Sequence, residues 1–459
     1  MSDYAAFLAG KAVSAPMRGL ETVPKLSGHL FPGQAECVRF ALSGGSTGCF
    51  LGTGLGKTAV ELEWAALAGQ ATNGRTLILT PLAVARQIEK EGKRWGYTVT
   101  VIRDQDEARE GINVCNYDRL DRLSPDAFGA VALDESSILK SFAGKTARAI
   151  IESFAGHRFR LSATATPAPN DHVEIAQHSA FLGLMARDEM LIRWFINDSG
   201  DTQSWRLKRH GVHAFFDWMA SWSRMAEHPR DLGDDTPGFD LPPLRVVRHH
   251  ADESVIPVGD GEMFRNPEVS AATMFQVKRA TSAARARIVA EMVTAEPSEP
   301  WVVWCDTNDE ADAIKAIVPE AGEVRGSDSI EKKENTIAAF GDGSLRVILT
   351  KSSITGWGLN WQHCARMAFV GRSFSYEAYY QAVRRCWRFG QTRPVDVHLI
   401  VAEGEDHIGR VIDRKADDHA HMKAEMVAAM QRAMGRSAAI RVAYDPKHDG
   451  RLPRWMEGR

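Results

Sequence analysis

The chain has 459 residues, which is long for one ordinary domain and suits two or three. With 44% hydrophobic and 25% charged residues it has a globular composition, which excludes a chain that is disordered throughout. A net charge of −3 and a pI near 6.6 exclude a protein that grips nucleic acid by general basicity, so any nucleic-acid track must be a local basic cleft.

From the N-terminus, Met1–Val13 offers no basic leader and only a short apolar run, so no signal peptide is expected. No stretch approaches the ~20 apolar residues of a membrane helix. The six cysteines (Cys37, Cys49, Cys115, Cys305, Cys364 and Cys386) are scattered without a C-x-x-C pair. That pattern speaks against zinc and disulfides and fits a reducing cytosol. Short apolar runs bounded by turn residues then alternate with helical stretches, the pattern of parallel α/β sheets. Strands are expected at Gly48–Leu51, Thr76–Thr80, Val99–Ile102, Asn113–Cys115, Ala130–Leu133 and Phe159–Leu161. A second series is expected at Trp301–Cys305, Glu323–Arg325, Leu345–Leu349, Met367–Val370 and Val395–Ile400.

Two series of strands imply two doubly wound parallel-sheet lobes in tandem. Between them, Phe181 to about Arg230 reads as helices, with Phe215, Trp218, Trp222 and Met225 at helical spacing. A Pro/Gly/Asp-rich passage ending in Leu241-Pro242-Pro243 reads as the hinge. The tail from Asp406 to Met434 reads as one or two charged amphipathic helices. The expected layout is an N-terminal extension (1–27), a first lobe (28–180), a helical insertion and hinge (181–242), a second lobe (243–405) and a helical extension (406–459).

Three elements carry chemistry. Gly52-Thr53-Gly54-Leu55-Gly56-Lys57-Thr58 follows a strand and opens a helix. Glycines let backbone N–H groups approach phosphates, Lys57 supplies charge to the β/γ oxygens, and the Thr58 hydroxyl suits Mg²⁺. Leu51 stands where the strict pattern has glycine. Downstream, the apolar run Val131-Ala132-Leu133 ends in Asp134-Glu135. Buried carboxylates are costly unless used. Asp134 is expected to hold Mg²⁺ through its water shell, and Glu135 to orient and deprotonate the attacking water. Last, Gln381-Ala382-Val383-Arg384-Arg385-Cys386-Trp387-Arg388-Phe389-Gly390-Gln391 puts three arginines on one short segment, as a lobe without its own phosphate loop would to sense a γ-phosphate.

With these elements in order, the chain resembles the superfamily-2 helicases, more narrowly the Swi/Snf-like branch and its short bacteriophage or prophage forms, over roughly Gly28 to Val401. The resemblance implies two RecA-like lobes, ATP with Mg²⁺, and double-stranded DNA as partner. It makes Gln34, in Leu30-Phe31-Pro32-Gly33-Gln34, the adenine-reading glutamine. Leu77 to Val84 is similar to one DNA-contacting motif and Val114 to Asp118 to the next, which singles out Pro81, Arg86 and Asn116. Ser137 in Asp134-Glu135-Ser136-Ser137 departs from the family's histidine. Thr164-Ala165-Thr166-Pro167 is similar to the coupling motif, in the register that also aligns Asn170. Thr355 to Asn360 resembles a second-lobe motif, so Trp357, Gly358 (toward ATP) and the nearby Arg372 join the expected site. Arg385 and Arg388 match the arginine fingers, whereas Arg384 matches none.

The tryptophans Trp194, Trp205, Trp218 and Trp222 lie among basic residues, a pattern that suits either base stacking or a docked core helix. The core reading is the stronger for Trp218 and Trp222. In the tail, Met422, Met426, Met430 and Met434 recur every fourth residue and are expected to pack on the second lobe. The combined expectation is an ATP-dependent translocase, monomeric and cytoplasmic, acting on duplex DNA in replication or recombination. A strand-separating helicase on DNA or RNA, and the motor subunit of a defence or restriction complex whose protein partner supplies the nuclease, stay open beside it.

Overall fold

The computed structural model describes residues 13–435 except 82–83, 141–143, 198–204, 252–270, 356–358, 372, 374 and 403–405. Two all-parallel sheets dominate it. The first contains β1 (Ser46–Leu51), β2 (Arg75–Thr80), β3 (Val99–Val101), β4 (Gly111–Asn116), β5 (Ala130–Asp134), β6 (Phe159–Ala163) and β9 (Ser223–Ala226), in the order β3-β4-β2-β5-β6-β1-β9. The second contains β10 (Leu244–His250), β11 (Trp301–Trp304), β12 (Gly322–Glu323), β13 (Val347–Thr350), β14 (Arg366–Phe369) and β15 (Val395–Val401), in the order β10-β15-β14-β11-β13-β12. β7 (Phe195–Asn197) and β8 (Trp205–Leu207) form a small antiparallel pair. The helices are α1 (Pro32–Gly44), α2 (Lys57–Gln70), α3 (Ala85–Arg94), α4 (Lys145–Ser153), α5 (Ile175–Leu182), α6 (Arg187–Trp194) and α7 (Val212–Trp222). They continue with α8 (Ala271–Ala295), α9 (Asn308–Ile317), α10 (Ile330–Gly341), α11 (Tyr376–Val383) and α12 (Asp406–Gly435). The architecture is two parallel-sheet α/β lobes with many helices.

The eleven apolar runs all became strands, with ends displaced by one or two residues. Such runs are legible because a strand covered on both faces is mostly apolar, and β1, β5 and β6 are buried at every position. Register pairs Cys49 with Ala163 and Ala163 with Asp134, so β1, β6 and β5 end side by side. The carboxyl edge of an open parallel sheet is where loops collect and ligands bind, and this edge carries Gly52, Asp134 and Thr164.

Two expectations are corrected. The stretch read as helical from Phe181 to about Arg230 is interrupted by the β7–β8 pair and leaves the helix again after Trp222, where Ser223 turns extended at φ −135° and ψ 157° and Ser223–Ala226 pairs in parallel with β1. Met225 falls three residues after Trp222 and so mimics helical spacing. A four-residue buried strand is too short to show its own period. The methionine stripe of the tail also packs elsewhere than expected. Met422, Met426 and Met430 join the core of the first lobe, beside Trp218, Trp222 and Met225, while Ile412 at the other end of α12 packs with Tyr376 and Tyr380. At about 1.5 Å per residue, α12 is long enough to touch both lobes. Arg432 pairs with Asp217 of α7 at 2.7 Å, and the Lys423 ammonium with Glu227 at 2.5 Å.

Trp218 and Trp222 are each 1% exposed, and Trp194 stacks on Trp218 at 4.7 Å, so these rings are core. Met426 and Met434 offer a test of the docking. Met426 has no exposed surface whereas Met434 is 40% exposed. Met426→Ala should cost about 2–5 kcal/mol through lost burial and the cavity left behind. Met434→Ala should stay within about 0.5 kcal/mol. Urea unfolding curves of the two variants check this.

Candidate active site

The loop after β1 is shaped by its glycines. Gly54 (φ +95°) and Gly56 (φ +81°) adopt left-handed backbone that side-chain-bearing residues resist. A Cβ on Gly56 would lie 2.3 Å from Gln34 Nε2, so that position also needs glycine for space. Leu51 is the buried last residue of β1, which places the departure from the strict pattern in the strand rather than in the turn. Lys57 opens α2 with Gly56 as its N-cap, so the helix N-terminus with its free N–H groups points at the loop. The Thr53 hydroxyl oxygen is buried with no hydrogen-bond partner, an orphaned polar atom in the cradle itself. Gln34 braces the loop: its Nε2 donates to Leu55 O at 3.0 Å, and its Oε1 accepts from the Phe31 amide at 3.1 Å.

Asp134 ends β5. Its Oδ2 accepts from the Thr80 hydroxyl at 2.8 Å, and its carbonyl accepts from the Tyr117 hydroxyl at 2.7 Å. Glu135 follows at φ +54° and is the single non-glycine residue with positive φ among those described. A strained backbone of this kind costs on the order of 1 kcal/mol and persists where the surroundings dictate it. Its carboxylate lies 3.7 Å from Lys57 Nζ and accepts from the Thr164 hydroxyl at 3.3 Å. Ser136 and Ser137 are both buried, and the link from Glu135 to the coupling segment is made directly by Thr164.

Charge in this pocket is concentrated and largely buried. Burial, then the neighbouring Glu135, push the Asp134 carboxyl up to about 6, against the opposing pull of Lys57 and Thr80. Burial would lower Lys57, but Glu135, Asp134 and Glu61 hold it above its ordinary value. Glu61, one helical turn beyond Lys57, has no exposed surface and neither carboxylate oxygen finds a partner; burial and then Asp134 drive it well up. Glu63, two residues on, is instead fully engaged by the Ser27 amide and hydroxyl at 2.7 Å and by Tyr97.

The second lobe completes the cleft. Thr53, Gly54, Gly56, Lys57, Thr58, Asp134 and Glu135 from one side and Arg385 and Arg388 from the other line a cavity of about 130 Å³. Arg385 is fixed by Gln381 Oε1 at 2.8 Å, Gln381 O at 3.0 Å and Leu359 O at 3.0 Å. Burial, then Arg388, lower Arg385 to about 10, a value at which it is still charged at neutral pH. Arg388 spends one bond, to Leu359 O at 3.1 Å. Gly54 approaches the second lobe so closely that a Cβ there would lie 3.0 Å from the Phe389 amide nitrogen. Thr58 and Asp134 on one wall, with buried acid in excess over Lys57, suit a hydrated divalent cation beside phosphates, so the residues present fit Mg²⁺.

Several residues here went unread in the sequence. Val84, Gln87 and Glu91 also line the cavity, and Gln87 Nε2 donates to Glu91 Oε1 at 2.9 Å. The i, i+4 spacing of Gln87 and Glu91 on α3 is visible in the sequence, but nothing there aims that face at the cleft. His178 accepts from the Ser162 hydroxyl at Nδ1 (2.7 Å) and donates to Pro167 O from Nε2 (2.8 Å), bracketing Thr164, Ala165 and Thr166. Arg384 ties the lobes: its guanidinium donates to Glu227 at 3.1 Å and lies 4.5 Å from the Trp387 ring.

Of the expected nucleic-acid residues, Pro81, Arg86 and Asn116 are among the described residues. Arg86 is exposed and pairs with Glu334 of α10 at 3.3 Å, while Asn116 is half-buried with its side-chain oxygen unpartnered. Pro81 directly follows β2. Trp357, Gly358 and Arg372 lie outside the described residues.

Residues 284–390 match the family model of the helicase conserved C-terminal domain. No curated protein matches this chain. Among solved structures, the chain is similar to the Sulfolobus solfataricus SWI2/SNF2 ATPase core in complex with dsDNA, at 16% identity and a TM-score of 0.40, covering 90% of this chain and 96% of that one. Among the described residues no helix is long and apolar enough to cross a membrane.

The raised Asp134 carboxyl makes a pH-dependent prediction. Its neutral form is favoured in the folded protein, so its ionisation weakens the fold progressively as pH rises from about 4 through 6. Asp134→Asn should therefore stabilise the protein at pH 8 by on the order of 2 kcal/mol, and the gain should shrink as pH falls below 6. Urea unfolding at several pH values reads it directly.

Proposed function

We propose that this chain is a nucleic-acid-dependent ATPase that uses ATP hydrolysis to move on double-stranded DNA. The observation that carries the reading is the shared cleft, where the phosphate loop, Asp134 and Glu135 of one lobe face Arg385 and Arg388 of the other. The match to a helicase C-terminal domain over residues 284–390 supports it from the second-lobe side.

Each residue has work that follows from its place. Backbone N–H groups of the loop and the start of α2 receive the phosphates, and Lys57 neutralises charge on the β/γ oxygens. Thr58 and Asp134 would hold Mg²⁺, which when bound polarises the phosphoryl group and offsets charge on the leaving oxygens. Glu135 orients a water and takes its proton, with Lys57 and Thr164 fixing the carboxylate. Arg388, less committed to its own lobe, meets charge developing on the γ-phosphoryl oxygens, and Arg385 buttresses it. Gln34 couples base binding to the loop through its bond to Leu55. The layout 1–27, 28–180, 181–242, 243–405 and 406–459 belongs to the same proposal, with 223–226 assigned to the first sheet.

The duplex assignment rests on the motif resemblance. A chain of net charge −3 that tracks DNA does so through few phosphate contacts, independently of base sequence. Pro81, Arg86, Asn116, Trp357 and Arg372 are the proposed contacts. ATP turnover measured in parallel on duplex DNA, single-stranded DNA and RNA tests both parts. Lys57→Ala and Glu135→Gln should abolish turnover, the second without loss of nucleotide binding. Arg388→Ala should slow it by about 10³-fold or more with little change in DNA affinity. Duplex should stimulate most; stimulation by RNA alone, or unwinding of a forked duplex, would instead select a strand-separating helicase.

A further inference from the structure

The segment that carries Asp134 and Glu135 continues through the short turn Ser136–Lys140, whose last residue reaches across the cleft. Lys140 forms an ion pair with Glu377 of α11, in the second lobe. The same carboxylate, 3% exposed, accepts from the Thr166 hydroxyl at 3.5 Å. Thr166 in turn donates its amide to the Thr164 hydroxyl oxygen at 3.1 Å, and Thr164 donates to Glu135 at 3.3 Å. Glu377 is thus joined to the water-handling carboxylate by two routes, one along the chain from Glu135 to Lys140 and one through Thr164 and Thr166.

On its own lobe, Glu377 lies in the first turn of α11, whose C-cap is Arg384 and whose next residue is Arg385. A helix transmits displacement along its axis as a nearly rigid body, so holding Glu377 sets where Arg385 and Arg388 stand. The bond from Arg385 to Gln381, one turn further along α11, stiffens the connection. A buried carboxylate held by a single half-exposed ammonium is costly to leave unpaired, so this contact favours one relative placement of the lobes.

We propose that Glu377 is a positioning residue: paired with Lys140 and Thr166, it sets the register of the arginine-bearing segment against Glu135. The inference rests on the ATPase reading above and adds a residue that lies before the motif Gln381–Gln391. Misplacement of about 1 Å at a reacting centre can cost on the order of 10²-fold in rate. Glu377→Gln keeps the shape and the Thr166 partner while removing the charge; Lys140→Met removes the counter-charge from a side chain 40% exposed and leaves Glu377 unpaired, so its urea unfolding curve is recorded alongside to separate lost stability from lost positioning. Both, and the double variant, are assayed for DNA-stimulated ATP hydrolysis in the full chain. In parallel, hydrogen exchange is followed over residues 375–388.

Glu377→Gln is expected to lower kcat by ten- to a hundredfold, with KM for ATP changed by no more than about twofold. The double variant should be no slower than the worse single variant within about threefold, as for residues acting as one unit. Exchange over 375–388 should quicken in both single variants while β11 to β14 stay protected. The proposal is overturned by unchanged kcat, by a rise in KM alone, by multiplicative single effects, or by unaltered exchange. If the wild-type chain fails to hydrolyse ATP, the functional reading falls, and the exchange data alone decide whether the Lys140–Glu377 contact holds the segment.

Discussion

Everything in the cleft answers to one electrostatic constraint, the confinement of Asp134, Glu135 and Glu61 around a single ammonium, Lys57, in a space with little water. The charges on the first lobe are unbalanced toward acid, and those offered by the second, Arg385 and Arg388, repel one another. Each lobe is electrostatically uncomfortable alone, and the Asp134 and Glu135 charges act to keep Arg385 ionised. Attraction across the cleft is therefore built in before any substrate is considered. Geometric ties between the lobes set how closely they approach.

Besides the exposed pair Arg86–Glu334, three such ties are found among the described residues. Glu227 receives Arg384 from the second lobe and Lys423 from α12, so three parts of the chain converge on one carboxylate. Phe239, in the connecting segment, stacks on Phe389 at 4.4 Å and meets Phe31 edge-on at 5.6 Å. Lys140 and Glu377 make the third. The first lies beside the phosphate loop, since a Cβ on Gly52 would touch Glu227, and the second lies beside Gln34's neighbour Phe31. Contacts between lobes and contacts with the nucleotide cradle are thus shared by the same residues.

The parts of this design that the sequence displays are those set by local rules. Apolar runs marked eleven strands because strands covered on both faces keep few polar positions. Glycines with positive φ marked the loop, and Asp134-Glu135 stood out because acids rarely end an apolar strand. What stayed hidden depends on distant pairing. Ser223–Ala226 is a strand only because β1 has a free edge, and the methionine stripe fits either lobe until the fold is known. Glu61 and Glu63 look alike in sequence, yet one is orphaned in the core and the other is tied to Ser27 and Tyr97. Lys140 and Glu377 sit 237 positions apart, and no spacing rule connects them.

The route of the chain through the first lobe has a consequence for how the protein is made. Its sheet takes its edge strand from 223–226, and its core takes Met422, Met426 and Met430 from the far end. The whole second sheet, from Leu244 to Val401, is therefore threaded between two portions of the first lobe. During synthesis, β1 must wait for a neighbour, and the apolar surface of α7 must wait for nearly the entire chain to emerge. The second lobe, whose strands are contiguous, can close first, so that the lobe begun earliest is the one finished last.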